Sequence, residues 1–190
     1  MRKKIKEIAV IRSGAYIKEG PKGEICYLQV NDFNKVENKF FLLKPSLELN
    51  SNTKKHLLCE GDILLAAKGT SNFCVVFHEE IGKAVASSSF LVISIIDSNI
   101  VCSDYLCWVL NRDDTLTFLK ANAVGSAMPS ITKTLIEDYE ITIPPIQVQK
   151  KIVEVSRLQQ QEQQLYSQIF KLRYQVTQQQ LIKITNKYGE

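Results

Sequence analysis

Ile143-Pro144-Pro145-Ile146-Gln147-Val148-Gln149-Lys150-Lys151-Ile152 is the stretch on which the organisation of this chain turns. The proline pair holds the preceding residue extended and offers no backbone N–H, so a strand running up to Ile143 stops and a helix can start beyond it. From Gln147 no glycine or proline interrupts the sequence until Gly189. Within that span Val155, Leu158, Leu165, Ile169, Leu172 and Val176 fall at gaps of three, four and seven, which is heptad spacing. Continuous helix from Gln147 to Ile184 is about 57 Å long at roughly 1.5 Å per residue, more than a small domain needs for its own packing. Such a helix needs a partner, and the apolar row is the expected dimer or partner interface. Glu162 and Gln179 stand at seam positions the heptad would make apolar, which lowers stability while fixing register or oligomeric state. A helix folded back on its own domain is the alternative.

The division predicts a globular domain over residues 1–145 and a helical dimerisation and spacer arm over 146–190. With 190 residues, 45% of them hydrophobic, the chain can bury one real core. No apolar run approaches the roughly 18 residues of a membrane span, and Met1-Arg2-Lys3-Lys4-Ile5-Lys6-Glu7 lacks the apolar stretch of a signal peptide, so a cytoplasmic location without membrane contact is expected. The 5 cysteines are odd in number and show no CxxC pair; they are expected to be reduced and buried. Net charge is +4, but residues 1–146 carry 17 Lys/Arg against 17 Asp/Glu, and residues 147–190 carry 7 against 3. The excess lies on the arm, so net charge alone does not argue for nucleic acid at the domain.

Strand-like runs rich in β-branched and aromatic residues occur at Ile25–Val30, Lys39–Leu43, Ile63–Lys68, Phe73–His78 and Phe90–Ile96. A helical block follows: Ser103 is placed to cap Asp104–Asn111, Asp113 or Asp114 to open a second helix toward Asn122, and Ser130 to cap a third through Asp138. Strands first and helices later predict an α+β fold, a small mixed sheet with helices, followed by one long C-terminal coiled-coil helix.

The ordered motifs resemble a known family. Lys4-Ile5-Lys6-Glu7-Ile8-Ala9 with Gly14, then Ile25-Cys26-Tyr27-Leu28-Gln29-Val30-Asn31-Asp32-Phe33, is similar to the start of a target recognition domain in specificity (S) subunits of type I restriction–modification systems. Glu60-Gly61-Asp62-Ile63-Leu64-Leu65-Ala66-Ala67-Lys68-Gly69 resembles that family's GDIL segment. Asp104-Tyr105-Leu106 with Leu110, Gly125, Ile131 and Leu135, and Ile141-Thr142-Ile143-Pro144-Pro145 with Gln149 and Ile152, resemble its closing segments. Val148 stands where the family commonly has Glu. A typical S subunit is similar to two such units in tandem, whereas this sequence has one.

The resemblance implies a half-length, non-catalytic specificity subunit. It implies a homodimer, or pairing with another S fragment, that reads a bipartite site in double-stranded DNA and directs methyltransferase (M) and restriction (R) subunits. No cofactor is implied. A coiled-coil adaptor with a protein-binding globular domain is the alternative reading.

Base-reading residues vary with the target in this family, so candidates come from residue chemistry. Lys68-Gly69-Thr70-Ser71-Asn72 follows a strand and offers a cation, hydroxyls and an amide for phosphate and base edges; a polar β-turn is the bland reading. Tyr16 and Lys18 in Gly14-Ala15-Tyr16-Ile17-Lys18, Ser87 and Ser88 in Ser87-Ser88-Ser89, and Ser126 in the loop Asn122–Met128 are further candidates for DNA contact. Lys54 and Lys55 read as a solvated pair.

Catalytic and metal-binding patterns are weak. Ser130-Ile131-Thr132-Lys133 has SxxK spacing without a companion motif. Asp32 with Glu37-Asn38-Lys39 has the look of a nuclease carboxylate–lysine set, in which acids would hold a divalent cation. His56 and Cys59 lack a second ligand pair, and His78 stands alone in the sequence. No glycine-rich phosphate or dinucleotide loop is present, so no catalytic residue and no metal site is expected.

Overall fold

Most strands precede the main helices, as the order of apolar runs predicts, but one short α-helix lies among the strands and one strand follows the helical block. The computed structural model of the chain describes residues 1–34, 39–41 and 43–187. In chain order the elements are β1 (Arg2–Lys4), β2 (Ala9–Ser13), β3 (Cys26–Leu28), β4 (Phe33–Asn34), β5 (Lys39–Phe40), α1 (Ser51–Lys55), β6 (Ile63–Ala66), β7 (Cys74–Val76), β8 (Ala84–Ala86), β9 (Phe90–Ile95), α2 (Ser103–Asn111), α3 (Asp113–Ala121), α4 (Lys133–Asp138), β10 (Glu140–Thr142) and α5 (Ile146–Lys187). The class is α+β, with small sheets and a long C-terminal helix. Each predicted strand forms, trimmed at its ends; in the run Lys39–Leu43 pairing covers Lys39–Phe40, and Leu42 lies outside the described residues.

A 4-stranded antiparallel sheet of order β2-β9-β6-β7 forms the centre. Its middle strands are apolar at nearly every position because both faces are covered. Ile63 and Leu65 face a core completed by α2, α4 and β10, while Leu64 and Ala66 face a second core built on Phe33, Phe40, Phe73, Phe77 and Phe90. Phe33 stacks on Phe73 at 4.4 Å between ring centroids, and Phe90 meets Phe73 edge-on at 6.1 Å. Full burial of each such side chain contributes about 1.5–3 kcal/mol. Helix α2 presents Tyr105, Leu106, Val109 and Leu110 to the first core, the one-sided spacing of an amphipathic helix.

The Gly61-Asp62 turn starts β6. Gly61 has φ +83°, and the buried Asp62 carboxylate accepts from Arg12 Nη2 at 3.1 Å, Ser94 Oγ at 2.6 Å and the Cys59 N–H at 3.0 Å. One short carboxylate thereby joins β2, β9 and the approach to β6.

Three pairings outside the central sheet organise the loops. Strand β1 pairs antiparallel with β10, Lys3 opposite Ile141, which brings Met1 against Ile143 just before the prolines. Strand β3 runs parallel to β8, Leu28 opposite Ala86, and β4 pairs antiparallel with β5. The short polar β1 and the small-residue β8 carry too little hydrophobic signal to stand out in the sequence.

Several expected caps are corrected. Ser103 lies inside α2, whose N-cap residue is Cys102 without a side-chain cap bond. Ser130 does not cap α4: Thr132 does, its Oγ1 accepting from the Leu135 N–H at 3.2 Å. Ser130 instead forms backbone bridges with Lys68 and Val124 ahead of the helix, so the SxxK residues do not share a helical turn. Helix α3 starts at Asp113, and Asp114 accepts from the Thr115 N–H at 2.8 Å. All the cysteines are free; Cys26 and Cys74 are buried, Cys102 and Cys107 half-buried, and Cys59 is exposed, against the expectation of burial.

The chain divides into two compact units, Met1–Val153 and Glu154–Glu190. Helix α5 begins in the first, where Gln149 is fully buried and Ile152 and Val153 pack on the first core. The second is helical to Lys187, and its heptad residues Val155, Leu158, Leu165, Ile169, Leu172 and Val176 are all exposed. No helix among the described residues is long and apolar enough to cross a membrane.

Candidate nucleic-acid interface

Strand β6 ends at Ala66 and the chain turns through Lys68-Gly69-Thr70-Ser71-Asn72 before Phe73 and β7. The turn is closed by its own last residue. Asn72 is 8% exposed and donates Nδ2–H to the Ala66 carbonyl at 2.9 Å, beside the Ala66 N–H to Phe73 carbonyl bond at 2.8 Å. Gly69 has φ +84° with open space where a Cβ would stand, so the backbone angle and not crowding requires glycine there.

A second loop is stitched onto this turn. The Gly69 N–H donates to Pro129 O and the Ile131 N–H to Ala67 O, each at 2.8 Å, and Val124 and Ser130 exchange backbone bonds. Gly125 turns the tip with φ +107°, and a Cβ there would lie 2.8 Å from Met128 O. Angle and space both require glycine.

The serine turn between β8 and β9 lies alongside. The Ser87 N–H donates to Leu28 O and the Ala67 N–H to Ser89 O, each at 2.9 Å. Gly14-Ala15 crosses the same turn: the Ala15 N–H donates to Ala86 O at 2.9 Å, and a Cβ on Gly14 would stand 2.1 Å from Ser87 O. Tyr27 pins the segment by donating its hydroxyl to Ala15 O at 2.8 Å. Burial raises the Tyr27 pKa above the ordinary tyrosine value, which keeps that donor protonated.

Segments 29–31, 68–71 and 87–89 and the tip at Met128 thereby enclose a cleft of about 290 Å³. Its lining residues include the cationic Lys68, the amide residues Gln29 and Asn31 and the hydroxyl residues Thr70, Ser71, Ser87 and Ser89, with no Asp or Glu among the described residues that line it. Lys68 Nζ stands 3.5 Å from Ser88 Oγ. The Gln29 amide donates to Glu19 Oε1 at 2.7 Å, and Glu19 Oε2 accepts from Ser46 Oγ at 2.7 Å. The arrangement suits an anionic, hydrogen-bonding polymer: a cation for phosphate, amides and hydroxyls for base edges, all on loops held by a rigid sheet.

Of the residues expected at such a site, Lys68, Thr70, Ser71 and Ser87 meet in the cleft wall, and Ser88 sits beside the lysine. Asn72 faces inward and holds the turn. Tyr16, 86% exposed, follows the Ala15–Ser87 bridge but is not part of the wall; the exposed Lys18 and Ser126 are likewise outside it. Ser89 and Met128, the last residues of two candidate stretches, also line the cleft, as do Gln29 and Asn31, which were not candidates for DNA contact. The sequence signal for Gln29 and Asn31 is a pair of amides flanking Val30 at the end of a strand-like run.

The remaining patterns find structural partners. Asp32 closes its own turn, accepting from the Gln29 N–H at 2.9 Å; Glu37 and Asn38 lie outside the described residues. His78 Nδ1 is 2.8 Å from Glu60 Oε1, so it does not stand alone. The Glu60 pKa lies below the ordinary carboxylate value, first because the Glu79 N–H donates to it and then because of His78. No cluster of three or more potential metal ligands occurs among the described residues. Lys54 and Lys55 are exposed in α1.

The family model described as the type I restriction modification DNA specificity domain matches residues 1–171. The fold is similar to that of the S subunit of a type I restriction–modification system from M. genitalium, with TM-score 0.59 and 13% identity over 83% of this chain and 38% of that one. It is also similar to the HsdS subunit from Thermoanaerobacter tengcongensis, with TM-score 0.57 and 16% identity over 87% of this chain and 38% of that one. The match therefore spans 38% of the length of each of these relatives. Comparison with curated proteins finds no match.

Proposed function

The chain belongs to the type I restriction modification DNA specificity domain family, and from that premise we propose that it is a DNA-reading specificity component that performs no chemistry itself. In this reading residues 1–145 bind double-stranded DNA through the loop cleft, with Lys68 on phosphate and the amides and hydroxyls on base edges. The observation that carries it is the convergence of segments 29–31, 68–71 and 87–89 on one cleft whose described lining residues include no Asp or Glu. Tyr16, Lys18 and Ser126 extend the same surface, and Asn72 positions Lys68 and Thr70 by closing their turn.

The arm, residues 146–190, pairs through Val155, Leu158, Leu165, Ile169, Leu172 and Val176 with the arm of a second copy or of another specificity fragment. The exposure of those residues supports this, since an unpartnered apolar row on a long helix favours association. Paired helices of fixed length set the separation and rotational phase of the reading domains, so the target is bipartite, and a two-fold dimer reads an interrupted palindrome. Methyltransferase and restriction subunits dock on the assembly and carry out modification and cleavage in the cytoplasm.

Exposed Val124 and Met128, 64% and 63%, favour the second reading, a coiled-coil adaptor whose domain grips protein. A genome-wide map of methylated bases decides between them, in cells with and without this chain and with its methyltransferase partner in both. A new interrupted motif that depends on the chain is the expected result; an unchanged map beside a stable complex with a non-DNA partner supports the adaptor.

A further inference from the structure

Leu28 pairs with Ala86, and the Ser87 N–H donates to Leu28 O, so the chain leaving β3 meets the serine turn at once. There it forms a 3-10 turn, Val30–Asp32, closed by the Gln29 N–H to Asp32 carboxylate bond at 2.9 Å. Gln29 and Asn31, two positions apart on this turn, both reach the cleft wall.

Gln29 is held from behind. Glu19 takes the Gln29 amide on one carboxylate oxygen and the Ser46 hydroxyl on the other, each at 2.7 Å. That contact sets the amide with nitrogen toward Glu19, and it uses one of the nitrogen's two donors. Among the described residues one N–H and the carbonyl oxygen of this amide have no further hydrogen-bond partner. A primary amide offering a donor and an acceptor matches the N6 and N7 edge of adenine.

The rest of the wall agrees with that preference. None of the described residues that line the cleft is an Asp or Glu able to accept from the amino group of cytosine, while exposed Met128 offers apolar contact for the methyl group of thymine. We propose that Gln29 and Asn31 are specificity-determining residues that read adenine in A·T pairs of the target, with Glu19 as the positioning residue for Gln29. The proposal rests on the DNA-reading function above and names which bases that cleft selects.

The test is selection from a randomised duplex pool by the purified complex of the full chain with its methyltransferase subunit. The wild type is compared with Asn31→Asp, Gln29→Ala and Glu19→Gln, and each variant's melting temperature is recorded. Wild type is expected to enrich a motif containing A·T pairs. Asn31→Asp, now acceptor-only, should move one position from adenine toward cytosine. Gln29→Ala should lose preference at a different position by about 5- to 150-fold, the range a bidentate contact confers. Glu19→Gln should weaken that second position alone, with the melting temperature unchanged.

An unaltered motif in all variants overturns the assignment, and so does a uniform loss of binding at every position, which marks backbone contact. Should Asn31→Asp fail to fold, Gln29→Ala decides by the same criterion. A wild-type complex that enriches nothing withdraws the DNA-reading function itself and this assignment with it; a wild-type motif untouched by the variants withdraws the assignment alone.

Discussion

Gln149, in the first turns of the long helix, caps α2: its side-chain oxygen accepts from the Cys102 backbone N–H at 3.0 Å. Cys102 has no side-chain cap of its own. The same amide donates to Ile100 O and Pro144 O, each at 2.8 Å, and the residue is 0% exposed. One buried side chain thus satisfies the start of α2, the chain leading into it and the proline corner. Gln149→Leu keeps the volume and strands these groups, each unpaired group costing about 1–3 kcal/mol. We expect denaturant unfolding of the Met1–Val153 unit to lose at least ~2 kcal/mol, and a loss within error would show that water replaces the amide without penalty.

Gly14 and Gly69 separate two reasons for a glycine in the loops. At Gly14 a Cβ meets the backbone oxygen of Ser87 at 2.1 Å, so Gly14→Ala must push the 14–18 segment off the serine turn. At Gly69 only the positive φ opposes a side chain, a cost of roughly 1–2 kcal/mol. Thermal melting should therefore rank Gly14→Ala well below Gly69→Ala. Equal melting temperatures would mean that the crossing at Gly14 relaxes freely and that the cleft is not rigidly built.

These loops also mark what the sequence could reveal. Lys68–Ser71 was legible because a glycine and polar residues follow an apolar strand, a local signal. Gln29 and Met128 join them only through the parallel β3–β8 pair and the Lys68–Ser130 bridge, contacts between residues far apart in sequence that leave no periodic trace. Asn72 shows a different limit, since an amide suited to reading a base is equally suited to closing its own turn. The misplaced caps have a similar cause: Ser130 and Thr132 are both good cap residues, and the backbone bridge at Ser130 leaves the role to Thr132. The arm was legible almost to its ends because helical periodicity repeats along the chain.

On the arm the heptad assignment discriminates between neighbours. In the proposed pairing Ile169 lies on the heptad seam, while Phe170, 75% exposed, falls on the outer side of the heptad and takes no part. Ile169→Asp should convert a dimer into a monomer in light scattering, because a seam charge would be desolvated without a partner. Phe170→Glu should leave the mass unchanged. Dissociation by the second substitution and not the first would place the interface on the wrong face of the helix.

Lys68 offers the most direct separation of DNA reading from protein adaptation. Among the described residues lining the cleft it is the cation, 3.5 Å from Ser88 Oγ, and under the proposed function a phosphate contact at this position would release bound counterions on DNA binding. Lys68→Gln shortens the side chain by one atom, keeps N–H donors at its end and removes the charge. The slope of log affinity against log salt should then become shallower by about 0.9, with affinity falling by a similar factor for cognate and non-cognate duplexes. A loss confined to one base position would instead make Lys68 a base reader, as expected for an ammonium on the O6 and N7 edge of guanine. Affinity that never depended on salt in the wild type would remove phosphate from the interface and leave the adaptor reading, because no protein surface matches the charge density of a duplex.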